Sequence, residues 1–160
     1  MINLDKCQAI YNGNIANVVH TAEMLNGYVV NLGALQTGSR EVFEVSVPAT
    51  ATLGTAEALL IFNDETIVTV NDSKISDYKI AIGEKARAYH LTVGDIITFD
   101  ATLIDGSPVV GQYLVPQNAS MKLAAAADLI GGTRLALEVI EETTIGFANS
   151  AAWSARVISA

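Results

Sequence analysis

The sequence predicts a mainly β protein: a single-domain antiparallel β-sandwich or barrel with at most one short helix near residues 120–130. Three observations carry that expectation. Apolar and polar residues alternate in short runs, the pattern of strands that bury one face. Each run is closed by Gly, Pro, Asn or Asp, the residues that punctuate strands. The third is composition: the 160 residues are 51% hydrophobic and only 16% charged. That balance excludes intrinsic disorder, which requires few apolar residues and much charge. It also supplies enough apolar material for one core without disulfides or metal. Residues 1–160 therefore read as one domain, with 1–11, which show no clear periodicity, as an extended N-terminal arm.

The elements follow in chain order. Asn26-Gly27 separates Ala22–Leu25 from Tyr28–Val30, and reads as a type I′ hairpin turn in which Gly removes the Cβ penalty at positive φ. Asn12-Gly13 is a third candidate of that kind, with weaker flanks. Glu41–Val47 is a β-branched run that stops at Pro48, and Ile67–Val70 is another, ending at Asn71-Asp72-Ser73. Ile96–Phe99 follows Gly94-Asp95. Asp105-Gly106 lies between Ala101–Ile104 and Val109-Val110, and reads as a second hairpin. Pro108 lacks an N–H, so its strand should start at a sheet edge or outside the ladder. Met121–Ile130 is disputed. Its alanines favour a helix capped by Ser120 and stopped at Gly131-Gly132, whereas its alternation favours a strand. Leu135–Ile140 and Trp153–Ile158 read as the last two strands.

Charge narrows the classes of partner. Asp and Glu number 17 against 9 Lys and Arg, for a net charge of −8. No basic cluster interrupts this balance, which argues against nucleic acid and anionic membranes. The longest apolar-rich runs, Ala56–Phe62, broken by Glu57, and Leu123–Ala127, fall short of the roughly 20 residues of a membrane helix. The first residues, Met1–Lys6, carry no apolar run of the secretory type, so synthesis in the cytoplasm is expected. Cys7 is the single cysteine, which precludes an intramolecular disulfide and a cysteine-based zinc site.

Catalytic signatures are absent from the sequence, and a non-enzymatic role without cofactor or metal is expected. His20 and His90 lie in strand-like contexts, and neither has a second His or Cys at ligand spacing. His90 and Asp95 sit close enough to meet across a turn, but no nucleophile accompanies them. Asp64-Glu65 and Glu141-Glu142 are adjacent pairs, which a strand would point to opposite faces; they read as polar strand ends, the latter before a loop. Asn71-Asp72-Ser73 and Asp77 only approach a calcium loop, and turn chemistry explains them better. Gly131-Gly132-Thr133 lacks the Lys of a phosphate loop. Gly111 and Gly146 read as bulges or points of close backbone approach. The few aromatics are scattered through apolar runs as core would be, and Tyr11 and Trp153, near the ends, are those expected at the surface.

The central block Gly83-Glu-Lys-Ala-Arg-Ala-Tyr-His-Leu-Thr-Val-Gly-Asp-Ile-Ile-Thr-Phe is preceded by Glu41-Val-Phe-Glu-Val-Ser-Val-Pro and Leu59-Leu-Ile-Phe-Asn-Asp-Glu. With Tyr11-Asn-Gly-Asn and Asn26-Gly-Tyr-Val-Val-Asn-Leu-Gly, this layout resembles the head decoration, or cement, proteins of tailed bacteriophages. Arg87-Ala-Tyr89 followed by Gly94-Asp95 is its most particular part. The resemblance implies a β-rich subunit on the outside of the capsid, carried on the virion and bound to the major capsid protein. It also fits a homo-oligomer, with a trimer matching the local threefold points of a shell. Tyr11, Arg87, Tyr89 and Trp153 are the candidate protein-contact residues. The alternative class is a carbohydrate- or protein-binding module, such as a tail, fibre or adhesion subunit, which would display clustered exposed aromatics or a metal.

Overall fold

The computed structural model describes residues 14–63, 78–146 and 149–160. Eleven strands lie among these residues, with a single 3-10 turn at Ala101–Leu103. The chain is mainly β, as its alternation predicts. Five strands close a barrel in the order β1-β3-β2-β4-β5. They are β1 (Ile15–Val19), β2 (Val29–Leu35), β3 (Val42–Ser46), β4 (Ala58–Ile61) and β5 (Lys85–His90). The remaining six are β6 (Ile96–Asp100), β7 (Ile104–Asp105), β8 (Tyr113–Pro116), β9 (Leu123–Ala126), β10 (Ala136–Ile145) and β11 (Ser150–Ser159). They form a second sheet ordered β6-β11-β10-β8-β9-β7. Pairing is antiparallel, as expected, except at β1–β3 and β7–β9, which run parallel. In each case the intervening strand carries the chain back, so the third strand runs in the direction of the first.

Two cores result, and β4 belongs to both. Its burial is continuous over Ala58, Leu59, Leu60 and Ile61. Leu59 and Ile61 point into the barrel, where they meet Val18, Met24, Val30, Ile80 and Ala88. Ala58, Leu60 and Phe62 point outward into a second cluster with Ile97, Phe99, Leu137, Trp153 and Val157 of the six-stranded sheet. A strand buried on both faces needs apolar residues at every position, which explains why Ala58–Phe62 reads as an unbroken run. The two sheets are also tied through backbone. Val29 N–H donates to the Met121 carbonyl at 2.8 Å, and Arg134 N–H donates to the Leu53 carbonyl at 2.7 Å.

The turns depart from expectation. Asn26-Gly27 does turn the chain, with Tyr28 N–H donating to the Leu25 carbonyl at 3.1 Å. Only Gly27 of the two has positive φ (95°), the type II arrangement rather than type I′. No hairpin forms there, because Met24 bridges to Ile80 while β2 pairs with β3 and β4. Asp105-Gly106 is likewise no hairpin. Ala101–Leu103 is the 3-10 turn, and β7 pairs in parallel with β9. Val109-Val110 lies in a turn outside any strand, and Pro108 sits outside the ladder as its missing N–H requires. The disputed segment resolves as strand β9, with Ser120 Oγ accepting from Lys122 N–H in a local turn. Here pairing with β7 and β8 outweighs the helix propensity of a few alanines, which is weak in so short a piece. Gly111 (φ 88°) and Gly146 (φ 73°) occupy turns rather than bulges. The Asn12-Gly13 turn, the Ile67–Val70 strand and the arm at 1–11 lie outside the described residues.

Candidate functional site

Strand alternation places Lys85, Arg87 and Tyr89 on the outside of the barrel while Ala86 and Ala88 fill its interior. The register with β1 then fixes their neighbours: Val19 opposite Lys85, Asn17 opposite Arg87 and Ile15 opposite Tyr89. On the other side β4 ends at Ile61, but the ladder continues through one backbone bond and one side chain. Asn63 Oδ1 accepts the Arg87 N–H at 2.7 Å, and Phe62 N–H donates to the Arg87 carbonyl at 3.0 Å. Asn63 is itself held by Asn26, whose Oδ1 accepts the Asn63 N–H at 2.8 Å while its Nδ2 donates to the Asn63 carbonyl at 2.9 Å. An open cleft of about 270 Å³ lies over this face, lined by Asn17, Asn63, Lys85, Ala86 and Arg87. Amide and cationic groups there suit a polar or anionic protein segment.

Of the four candidate contact residues, the fold brings two together. Arg87 is exposed beside the cleft. Tyr89, two residues along on the same face, is half-buried against the core between the sheets, with its ring edge-on to Phe62 at 6.1 Å. Trp153 corrects the expectation of surface exposure. Its side chain belongs to that same core, it is 8% exposed, and its Nε1 has no hydrogen-bond partner among the described residues. Proximity to the chain end misled, because β11 is interior to its sheet, flanked by β6 and β10. Tyr11 lies outside the described residues.

The residues with catalytic potential do not converge as sequence spacing proposed. His90 Nδ1 meets Glu57 Oε1 at 2.5 Å rather than Asp95. Asp95 is buried, and its carboxylate accepts the Thr92 N–H at 2.9 Å, a local turn bond. His20 Nδ1 accepts the Ala22 N–H at 2.9 Å. Glu141 and Glu142 lie within β10 instead of before a loop, next to a register shift between Val139 and Glu141. Among the described residues no group of three or more His, Cys, Asp or Glu is placed to hold a metal ion. No helix among them is long and apolar enough to cross a membrane. Asp64-Glu65 and Asn71–Asp77 fall outside the described residues.

Sequence reasoning missed the most exposed apolar side chains. Ile130 is 88% exposed, Ile82 66%, Val109 63%, and Val93 and Val110 56% each. Val109-Val110 read as strand, yet the following Gly111 is the signal of a turn: a type II turn wants Gly at its third position. No protein-family model, curated protein or solved structure matches this chain.

Proposed function

We propose that this chain is a structural subunit of a tailed-phage particle, a head decoration protein on the outside of the assembled capsid. In this reading it binds neighbouring subunits of the major capsid protein and reinforces their contacts. The observation that carries it is the surface: large apolar side chains stand exposed on a β scaffold with thin charge. Where such side chains gather into a contiguous patch, they mark a place where a folded protein meets another. The resemblance to decoration proteins supports the same reading. Its block from Gly83 to Phe99 spans β5, the Gly94 turn and β6, one continuous piece running from barrel to sheet. Each contact can be modest, because binding that favours the closed lattice adds stability at every copy. A homo-oligomer, with a trimer at local threefold points, suits that role.

Particle composition tests this. Virions purified from the source culture are analysed by quantitative mass spectrometry against their major shell protein. A ratio near one, or at a fixed lattice fraction, supports head decoration. A few copies per particle would move the chain to tail or fibre. Absence from particles would remove the virion reading and favour a carbohydrate- or protein-binding module.

A further inference from the structure

Two turns leave the same end of the β8–β9 pair, where Tyr113 faces Ala126. The first precedes β8 and runs Val109-Val110-Gly111-Gln112. Gln112 N–H donates to the Val109 carbonyl at 2.9 Å, and the Gln112 Oε1 accepts the Val109 N–H at 3.1 Å. With Gly111 at φ 88°, this is a type II turn with Val110 at its second position. Gly111 N–H also donates to the Val139 carbonyl at 2.8 Å, so the turn is bolted beside the bulged Ile140 of β10, itself 37% exposed. The second turn follows β9, where Gly132 N–H donates to the Leu129 carbonyl and Asp128 Oδ1 accepts the Ile130 N–H. Ile130 takes its second position. Turn chemistry asks for Pro, Asn, Asp or Ser at such sites, so it does not account for Val110 or Ile130. Their effect is to hold apolar surface outward from hydrogen-bonded supports.

Acids border this apolar centre, while the exposed Arg134, four residues past Ile130, donates to the Thr55 carbonyl. Asp128, Glu141 and Glu142 are exposed there, and among the described residues no Lys or Arg forms an ion pair with them. Glu138, nearby on β10, is already paired with Arg156. A symmetric contact with a second copy would set these acids against their own counterparts, which is costly at an interface. The complementary occupant is a different protein surface, with an apolar patch bordered by Lys or Arg.

We propose that this end of the six-stranded sheet, centred on Val109, Val110 and Ile130 and edged by Glu141 and Glu142, docks onto a basic-rimmed apolar patch of the capsid subunit. The inference rests on the head-decoration reading and names the surface and the partner's chemistry. Its test is sedimentation of the purified chain with purified shells lacking it, from the same phage, at several salt concentrations. Replacing Val110 and Ile130 together by Asp should weaken binding at least about tenfold, as loss of anchors at an interface centre does. Since both side chains are exposed, the doubly substituted chain should keep the thermal unfolding midpoint of the original. Glu141→Lys with Glu142→Lys should weaken binding at low salt, with the deficit shrinking as salt rises. Arg40→Glu, on the exposed turn between β2 and β3 of the barrel, should leave binding unchanged.

The outcomes separate cleanly. If the unaltered chain and the Val110→Asp/Ile130→Asp chain bind alike, the docking surface is wrong and the decoration reading stands. If the unaltered chain does not bind shells, the decoration reading falls and takes this inference with it. Tighter binding by the Glu141→Lys/Glu142→Lys chain would overturn the basic partner. Dissociation of an oligomer of the unaltered chain by Val110→Asp/Ile130→Asp would place a second copy on the surface and overturn the occupant.

Discussion

Asn26 shows how one side chain stands in for a length of strand. It is 3% exposed and exchanges a pair of hydrogen bonds with the backbone of Asn63, as an opposing strand residue would. Asn63 in turn accepts the Arg87 N–H on its own Oδ1, so the cleft beside Arg87 rests on Asn26. Replacing Asn26 by Ala strands an N–H and a carbonyl that are partly buried. The expected loss is about 1–3 kcal/mol in a denaturant titration. Asn26→Asp should be no milder, since it sets a carboxylate oxygen against the Asn63 carbonyl where an N–H donor stood. An Asp variant as stable as the original would show that the bond from Nδ2 contributes nothing. Trp153 makes a contrasting residue-scale point. Its Nε1–H has no acceptor among the described residues, and its indole contributes apolar bulk between the sheets.

At the scale of elements, β3 leaves no room beside β2 for a side chain at Gly33. A Cβ there would lie 2.6 Å from the Glu44 carbonyl oxygen, within the register shift between Leu32 and Leu35. Backbone blocks it, so no flexible side chain can yield. Gly33→Ala should therefore cost about 1–3 kcal/mol, read as a lower thermal midpoint, although the site is exposed. An unchanged midpoint would mean that the bulge opens freely. The elements themselves were legible where a local pattern suffices. Val42–Ser46 and Ile96–Asp100 stand out because alternation is bounded by Pro48 and by Gly94-Asp95. The common face of Arg87 and Tyr89 follows from the two-residue period alone. Pairing was not legible. A Gly-containing dipeptide fixes φ locally but leaves open which strand comes alongside, so Met24 finds Ile80 and β7 finds β9. The exposed apolar turns escaped for a related reason, because Val-Val reads as strand until the partner is shown to be missing.

The molecule as a whole is held by the core that the barrel and the six-stranded sheet share. Val29, Leu60 and Phe62 come from the barrel side, Phe99, Leu137 and Trp153 from the sheet. Because β4 is lined by both cores, neither sheet can leave without exposing the apolar face of the other. Unfolding should therefore be one cooperative transition. Trp153 is the single tryptophan and sits in the shared core, so its fluorescence reports separation of the sheets, while far-UV circular dichroism reports loss of strands. The two curves should superimpose in urea. Leu60→Ala, which hollows the shared core, should shift both together and cost about 2–5 kcal/mol. Leu59→Ala, on the opposite face of the same strand, should do likewise although its side chain lies inside the barrel. If Trp153 fluorescence changes first and a strand-rich species survives it, the barrel holds on its own. The sheet bearing Val110 and Ile130 would then be a separately stable attachment rather than part of one rigid body.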